Sequence, residues 1–134
     1  MASHPSSRPR RNRKSPAIRA AYSETHLAPC HFVLPLFIHD GAEDVPIASM
    51  PGCSRLSLAG LLKEVAGAVA DGIGMVEVFP AVPDALKTPD CAAAYDPAGL
   101  VQRAVRLLKG EYPKLVVVTD VALDPYNPLG HDGL

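Results

Sequence analysis

The stretch VTDVALDPYNPLGHDGL, residues 118–134, begins as an apolar run and continues as a polar loop. Asp120, Asp124 and Asp132 lie in it, among prolines and glycines that favour turns over regular structure. α/β proteins often present reactive groups in this way, because the strands are rigid and the loops at their carboxyl ends carry the chemistry. The stretch therefore predicts a buried strand that delivers acidic side chains to a functional loop.

Three apolar runs have the composition of buried strands: residues 32–38 (FVLPLFI), 75–79 (MVEVF) and 115–121 (LVVVTDV). Apolar residues at consecutive positions are typical of strands that are covered on both faces. Pro35 interrupts the first run and donates no ladder hydrogen bond, so either the regular strand is short or Pro35 lies where no N–H is needed.

Helical patterns separate these runs. The first helix is predicted to begin after Ser57, which caps it, and to end at Gly72. Its apolar residues form one stripe at helical spacing: Leu58, Leu61, Leu62, Val65 and Val69. The second helix is predicted to start from Asp96 as the cap and Pro97 as its first residue, and to end at Gly110. Strands that alternate with helices predict βαβ units and a parallel sheet.

Residues 1–31 read as an arm, with the basic sequence RPRRNRK at 8–14 and a possible helical turn at 17–21. Clustered arginine suits contact with nucleic-acid phosphates, and it suits equally an arm that lies on a neighbouring subunit. The net charge of −1 and the lack of interleaved aromatic residues favour the second interpretation, so we expect no nucleic-acid partner.

Composition excludes several classes of function. No apolar run is long enough to cross a bilayer, so we expect no membrane association, and neither nucleotide phosphate-loop motif is present. Cys30, Cys53 and Cys91 lack metal-ligand spacing and fit reduced thiols. We predict a cytoplasmic protein. The Ser/Arg-rich start leaves a plastid location as the alternative.

Several motifs together resemble the porphobilinogen synthase (5-aminolevulinate dehydratase) family: LPLFI, SMPGCSRLS, FPAVP with LKTPD, YDPAGLVQRAVR, and TDVALDPY followed by GHDG. The resemblance implies an α/β fold that is the N-terminal part of a (β/α)8 TIM barrel, a fold of about 250 residues when complete. It divides the chain into an extended arm, residues 1–31, and an incomplete barrel domain of about three βα units, residues 32–134.

The resemblance also implies an activity. Family members are lyases that condense two 5-aminolevulinate molecules to porphobilinogen, for haem and other tetrapyrroles, and they assemble as octamers through the arm. Two lysines on later strands form Schiff bases with substrate, and no lysine of this chain matches either motif. We therefore expect a fragment of the enzyme that is inactive alone. The alternative is a truncated, inactive paralogue that associates with full-length subunits.

The family's metal-associated loop matches the stretch after the third predicted strand. Zinc-dependent members have cysteines at the positions of Ala122, Asp124 and Asp132, so the resemblance makes zinc an unlikely ligand and favours magnesium or another hard cation on Asp124 and Asp132. Asp120 matches an aspartate near the substrate lysines, where it would support catalysis. Pro128 departs from the family pattern, as does Cys91, which stands where glycine is usual.

Overall fold

The structure is a computed structural model that describes residues 9–132. The helices are α1 (Pro16–Ala21), α2 (Leu58–Ala70) and α3 (Leu100–Glu111). The strands are β1 (Val33–Ile38), β2 (Val45–Pro46), β3 (Ser54–Leu56), β4 (Met75–Pro80) and β5 (Val116–Thr119). Ser15 caps α1 by accepting from the N–H of Ile18, and this confirms the helical turn expected in the arm.

The strands form one sheet in the order β2-β3-β1-β4-β5. The three predicted strands, β1, β4 and β5, are adjacent and parallel, as the alternation with helices predicted. β2 and β3 form an antiparallel pair that was not predicted, because segments of two and three residues show no periodicity. β5 ends at Thr119, so the prediction that this strand reaches Val121 was wrong.

Pro35 lies inside β1 without losing a hydrogen bond. The N–H of His39 donates to Leu56 O, so it points towards β3. Backbone nitrogens two or four residues apart in a strand point to the same side, so the nitrogen of Pro35 also faces β3. β3 pairs with β1 only at Phe37 and Ile38, beyond the proline. Pro35 therefore occupies a position where no partner needs its N–H, which was one of the two predicted solutions.

The core lies between one face of the sheet and the helices α2 and α3. Its buried residues from the strands are Leu36, Ile38, Leu56, Val76 and Val78, and those from the helices include Leu61, Val65, Ala104 and Leu108. The opposite face of the sheet carries Phe37 and Phe79, whose ring centroids are 5.8 Å apart. Both faces are therefore largely apolar, as consecutive apolar residues in β1 predicted.

Both ends of α2 are closed as the sequence predicted. Ser57 Oγ accepts from the N–H of Gly60 at the amino end. At the other end Gly72 has φ +89, its N–H donates to Val69 O, and the N–H of Ile73 donates to Ala68 O. These two bonds form a Schellman motif, which satisfies carbonyls that the last turn leaves without helical partners.

Asp44, in the loop between β1 and β2, adds to the cap of α2. Asp44 Oδ1 accepts from both the N–H and the hydroxyl of Ser57, each at 2.8 Å. Gly60 allows this approach, because a Cβ at that position would overlap the Asp44 carboxylate. One carboxylate thus ties the loop that leaves β1 to the start of α2.

We predict opposite effects for two glycine-to-alanine changes within α2. Gly60→Ala lowers the stability of the chain, because the new methyl group displaces Asp44 from Ser57. Gly67→Ala raises it by about 0.5–1 kcal/mol, because nothing lies within 4 Å of its Cβ position and alanine restricts the unfolded backbone. Urea unfolding of both variants measures the difference, and a gain in stability for Gly60→Ala would contradict the packing described.

The Asp44 cap also predicts a dependence of stability on pH. Hydrogen bonds from the backbone N–H and then the hydroxyl of Ser57 lower the pKa of Asp44 below its ordinary 3.8. A carboxyl with a depressed pKa contributes stability above its unfolded pKa and loses it as pH falls through the folded value. We expect Asp44→Asn to be less stable than wild type at pH 6, and the gap to close as pH falls below 3.8. A gap that stays constant across this range would contradict the assignment.

The start of α3 differs from the prediction. Asp96 does not cap the helix: its Oδ1 accepts from the N–H of Ala98, two residues on, and closes a local turn. The helix begins at Leu100 with Gly99 as its N-cap residue. At the other end Gly110 is within the helix, which continues to Glu111, so the expected termination at Gly110 was also wrong.

Candidate functional site

A cavity of about 420 Å³ lies at the carboxyl ends of β4 and β5. Parallel strands bring these ends to the same edge of the sheet, so the loops that leave the two strands share one space. Its lining includes Phe79 and Pro80 from β4, Tyr95 and Gln102 from the connection and α3, and Asp120, Leu123 and Tyr126 from the loop after β5. This is the edge at which the sequence predicted the functional loop.

Asp120 follows β5 directly and lines this cavity, as the sequence analysis expected of a strand-end carboxylate. Its neighbours in the wall are mainly apolar, with Phe79 and Val101 from other elements and Val121 beside it in the chain. Asp120 is exposed in this wall, where a single carboxylate can pair with a cationic group on a bound molecule. The role of Asp120 itself stays a prediction.

Asp132 has a structural role in the loop after β5. Its Oδ1 accepts from the N–H groups of Leu123 and Asp124, at 2.6 and 2.9 Å. The carboxylate therefore connects the end of the loop, at Asp132, to the start of the turn at Asp124–Tyr126 by hydrogen bonds. The bond joins Asp132 to the backbone of Asp124, and one oxygen of the Asp132 carboxylate is engaged by two N–H groups.

Pro128 is accommodated in a tight turn. Asn127 is buried, its Oδ1 accepts from the N–H of Leu129, and its carbonyl accepts from the N–H of Gly130, which has φ +71. Asn, Pro and Gly at the first, second and fourth positions are a familiar turn sequence. The departure from the family pattern at Pro128 therefore produces an ordered turn. The Asn-Pro-x-Gly spacing was the signal that could have identified Asn127 as a supporting residue.

A second loop, residues 87–95, packs against the loop after β5. The N–H of Thr88 donates to Tyr126 O at 3.0 Å, and the thiol of Cys91 lies 3.7 Å from Leu123 O. Cys91 is buried and has φ 52, the left-handed region that favours glycine. Thr88 was not among the predicted site residues, and no signal in the sequence predicted its contact.

Tyr126 contributes a protonated phenol to the wall of the cavity. Burial raises the pKa of this hydroxyl above its ordinary value of 10.0. A phenol whose pKa is raised stays protonated across the physiological range and can donate a hydrogen bond. Tyr126 is half-buried, and it is one of the polar residues of the cavity lining together with Asp120 and Gln102.

The two residues predicted to bind a cation, Asp124 and Asp132, offer oxygen donors. Within residues 9–132, no three or more His, Cys, Asp or Glu side chains gather in a way that could hold a metal ion. Carboxylate oxygens are ligands that suit a hard cation with most of its water shell, and a cation at Asp124 and Asp132 stays a prediction. Neither residue offers a thiolate or an imidazole, which are the commonest ligands of structural zinc sites.

These features define the class of protein. Three adjacent parallel strands are connected by helices on one face of the sheet, and polar loops surround a cavity at its carboxyl edge. This is the plan of one sector of an α/β barrel. A family model described as delta-aminolevulinic acid dehydratase matches residues 6–134. The chain belongs to this family.

The relatives agree with that assignment. The chloroplastic delta-aminolevulinic acid dehydratases of Glycine max and Selaginella martensii are 59% and 58% identical to the chain, over 95% and 96% of it. The corresponding enzyme 1 of Arabidopsis thaliana is 56% identical over 96% of the chain. The chain covers 31%, 31% and 30% of these three relatives, and so spans about a third of their length.

A solved structure shows the same fold. The crystal structure of delta-aminolevulinic acid dehydratase (porphobilinogen synthase) from Toxoplasma gondii ME49, in complex with the reaction product porphobilinogen, superposes with a TM-score of 0.91 and 48% identity. The superposition covers 96% of this chain and 36% of that one. The chain therefore has the fold of the N-terminal part of a TIM barrel, which confirms the predicted fold class.

Two expectations concern location. No helix within residues 9–132 has the length and apolarity needed to cross a membrane. The relatives named above are chloroplastic enzymes, so the comparisons favour the plastid alternative and give no support to the predicted cytoplasmic location.

Proposed function

We propose that the chain forms the first part of a porphobilinogen synthase, which condenses two molecules of 5-aminolevulinate to porphobilinogen with loss of two waters. One observation carries the proposal: in a chain of this family, the loop after β5 delivers Asp120 and Tyr126 to a single cavity at the carboxyl edge of the sheet. That edge is where TIM-barrel enzymes bind substrate.

The chain's own residues would perform three tasks in this reaction. Asp120 would pair with a protonated amine, either of the substrate or of a lysine on a later strand, and hold it in the cavity by charge. Phe79 and Val101 would exclude water and so strengthen that pairing. Tyr126 would donate a hydrogen bond from its phenol. The amines that form Schiff bases with the substrate's carbonyl groups would come from strands beyond β5.

A cation and an assembly belong to the same proposal. Asp124 and Asp132 would hold a hydrated magnesium ion, or a similar hard cation, which supplies positive charge beside the cavity. The arm, residues 1–31, would join subunits into an octamer-type assembly. A plastid is the proposed compartment, by analogy with the chloroplastic relatives.

A chimera tests the activity. Residues 1–134 are joined to the part of the Glycine max enzyme that follows the matched region, and porphobilinogen formation from 5-aminolevulinate is measured. We expect a kcat/KM within about tenfold of the Glycine max enzyme, equivalent to about 1.4 kcal/mol. The 134-residue chain alone and the Glycine max portion alone serve as controls, and we expect neither to form product. A folded chimera that forms no porphobilinogen would refute the proposal.

The edge of the sheet supports a second candidate function. Among the described residues β5 pairs only with β4, and Val116 and Val118 are 51% and 37% exposed. An exposed apolar edge strand is a template for pairing with another chain. The second candidate is therefore an inactive partner that joins full-length subunits. Retention of the 134-residue chain by a tagged Glycine max enzyme, with no porphobilinogen formed by the chimera, would favour this candidate over the first.

A further inference from the structure

Cys91 connects two loops at the edge of the cavity. Its thiol donates towards Leu123 O at 3.7 Å, from a side chain that is 4% exposed. Leu123 also donates its N–H to Asp132, and its carbonyl accepts from the N–H of Tyr126 as well. Through this thiol, the loop at 87–95 contacts Leu123, the residue directly before Asp124.

The backbone at Cys91 is strained. Cys91 has φ 52 and ψ 35, and it is the one residue other than glycine with positive φ among residues 9–132. An L-residue in the left-handed region carries a cost that persists only where its surroundings fix it, and such residues cluster at functional sites. Here the N–H of Cys91 donates to Thr88 O, and its carbonyl accepts from the N–H of Ala94. These two bonds hold the residue in its strained conformation and aim the thiol at Leu123.

We propose that Cys91 is a positioning residue for the loop after β5, holding Leu123 so that Asp120 and Tyr126 keep their places in the cavity. The effect on enzyme kinetics rests on the proposed function. The effect on the order of the loop after β5 does not depend on that function. Glycine would fit the local backbone without strain, but it would remove the thiol. The contact of the thiol with Leu123 O therefore explains why a side chain is present at this left-handed position.

Exchange measurements test the structural consequence in the 134-residue chain. Cys91→Ala removes the thiol and is expected to raise hydrogen–deuterium exchange about fivefold at the amides of Leu123, Asp124 and Tyr126, which corresponds to the loss of one modest buried contact. Exchange in α2 should not change. Cys53→Ala, which removes a half-buried thiol elsewhere, is the matched control. Unchanged exchange in the loop after β5 in Cys91→Ala would overturn the proposal.

Kinetics of the chimera test the functional consequence. A loosened loop occupies its competent conformation less often, so the KM for 5-aminolevulinate should rise about fivefold in Cys91→Ala while kcat stays within about twofold. Cys91→Gly is the decisive variant, because it relieves the backbone strain. The KM of Cys91→Gly should rise about as much as that of Cys91→Ala. Its unfolding temperature should be no lower than that of Cys91→Ala.

The outcomes separate the two proposals. An inactive wild-type chimera refutes the proposed function, and the exchange measurement then decides on Cys91 alone. An active chimera in which Cys91→Gly has the wild-type KM would overturn the positioning role. In that case the thiol would only fill space in the interior.

Discussion

Replacing Asp120 by asparagine in the chimera is expected to lower kcat about a hundredfold, the magnitude typical for loss of one well-placed electrostatic or proton-transfer group. Asparagine has nearly the same shape as aspartate, so the walls of the cavity stay in place and only the negative charge is removed. A protonated amine in the cavity then loses its counter-charge. Steady-state rates of porphobilinogen formation measure the effect.

Asp96→Asn is the matched control for this prediction. Asp96 is exposed, lies on another loop and uses its Oδ1 only to accept from the N–H of Ala98, which an asparagine oxygen also does. We expect this variant to keep the wild-type kcat within about twofold. If Asp120→Asn were as active as Asp96→Asn, the cavity would not use the charge of Asp120 in catalysis.

Leu61→Ala is expected to lower the free energy of unfolding of the chain by about 3 kcal/mol. Leu61 is fully buried on α2, where it packs in the core with Ile38 and Val65. Truncation to alanine loses the transfer free energy of the side chain and leaves a cavity that close-packed neighbours fill only in part. Urea or guanidinium unfolding of the 134-residue chain measures the loss, as a shift of the transition midpoint at constant slope.

Leu27→Ala makes the same chemical change at a side chain that is 73% exposed. It should alter the free energy of unfolding by less than about 0.5 kcal/mol, because little buried surface is lost. Equal effects of the two substitutions would mean that α2 does not pack on the sheet as described.

The sequence was sufficient for the elements that have strong periodicity. The Ser57 cap of α2, Gly72 at its end and most of its apolar stripe follow from local chemistry, and the structure contains them. Val69 is the exception: it was predicted to belong to the stripe but is 40% exposed, and Ala68 is buried instead. The alternation of strands and helices likewise predicted the parallel arrangement of β1, β4 and β5. These features depend on residues close together in the chain, so one stretch of sequence contains the information needed.

The errors fall where distant residues decide the outcome. Asp96 could close a turn or cap a helix, and the local sequence is compatible with both. β2 and β3 exist because each finds a partner strand, and neither is long enough to show a pattern of its own. The contact between Cys91 and Leu123 joins loops 32 positions apart.

The candidate site was predictable in part for the same reasons. The run of β-branched residues before Asp120 placed a carboxylate at a strand end, and the structure puts Asp120 in the cavity wall. The bonds from Asp132 to the N–H groups of Leu123 and Asp124 depend on how the loop folds back on itself. Spacing in the sequence does not distinguish a metal ligand at Asp132 from a residue whose carboxylate holds the loop together by hydrogen bonds.

The position of porphobilinogen in the chimera tests the central claim most directly. A crystal structure of the chimera grown with porphobilinogen should show the product in the cavity at the carboxyl ends of β4 and β5, in contact with Asp120 and beside Phe79 and Tyr126. Product bound at a site that no residue of this chain lines would contradict the claim that these 134 residues form part of the substrate site.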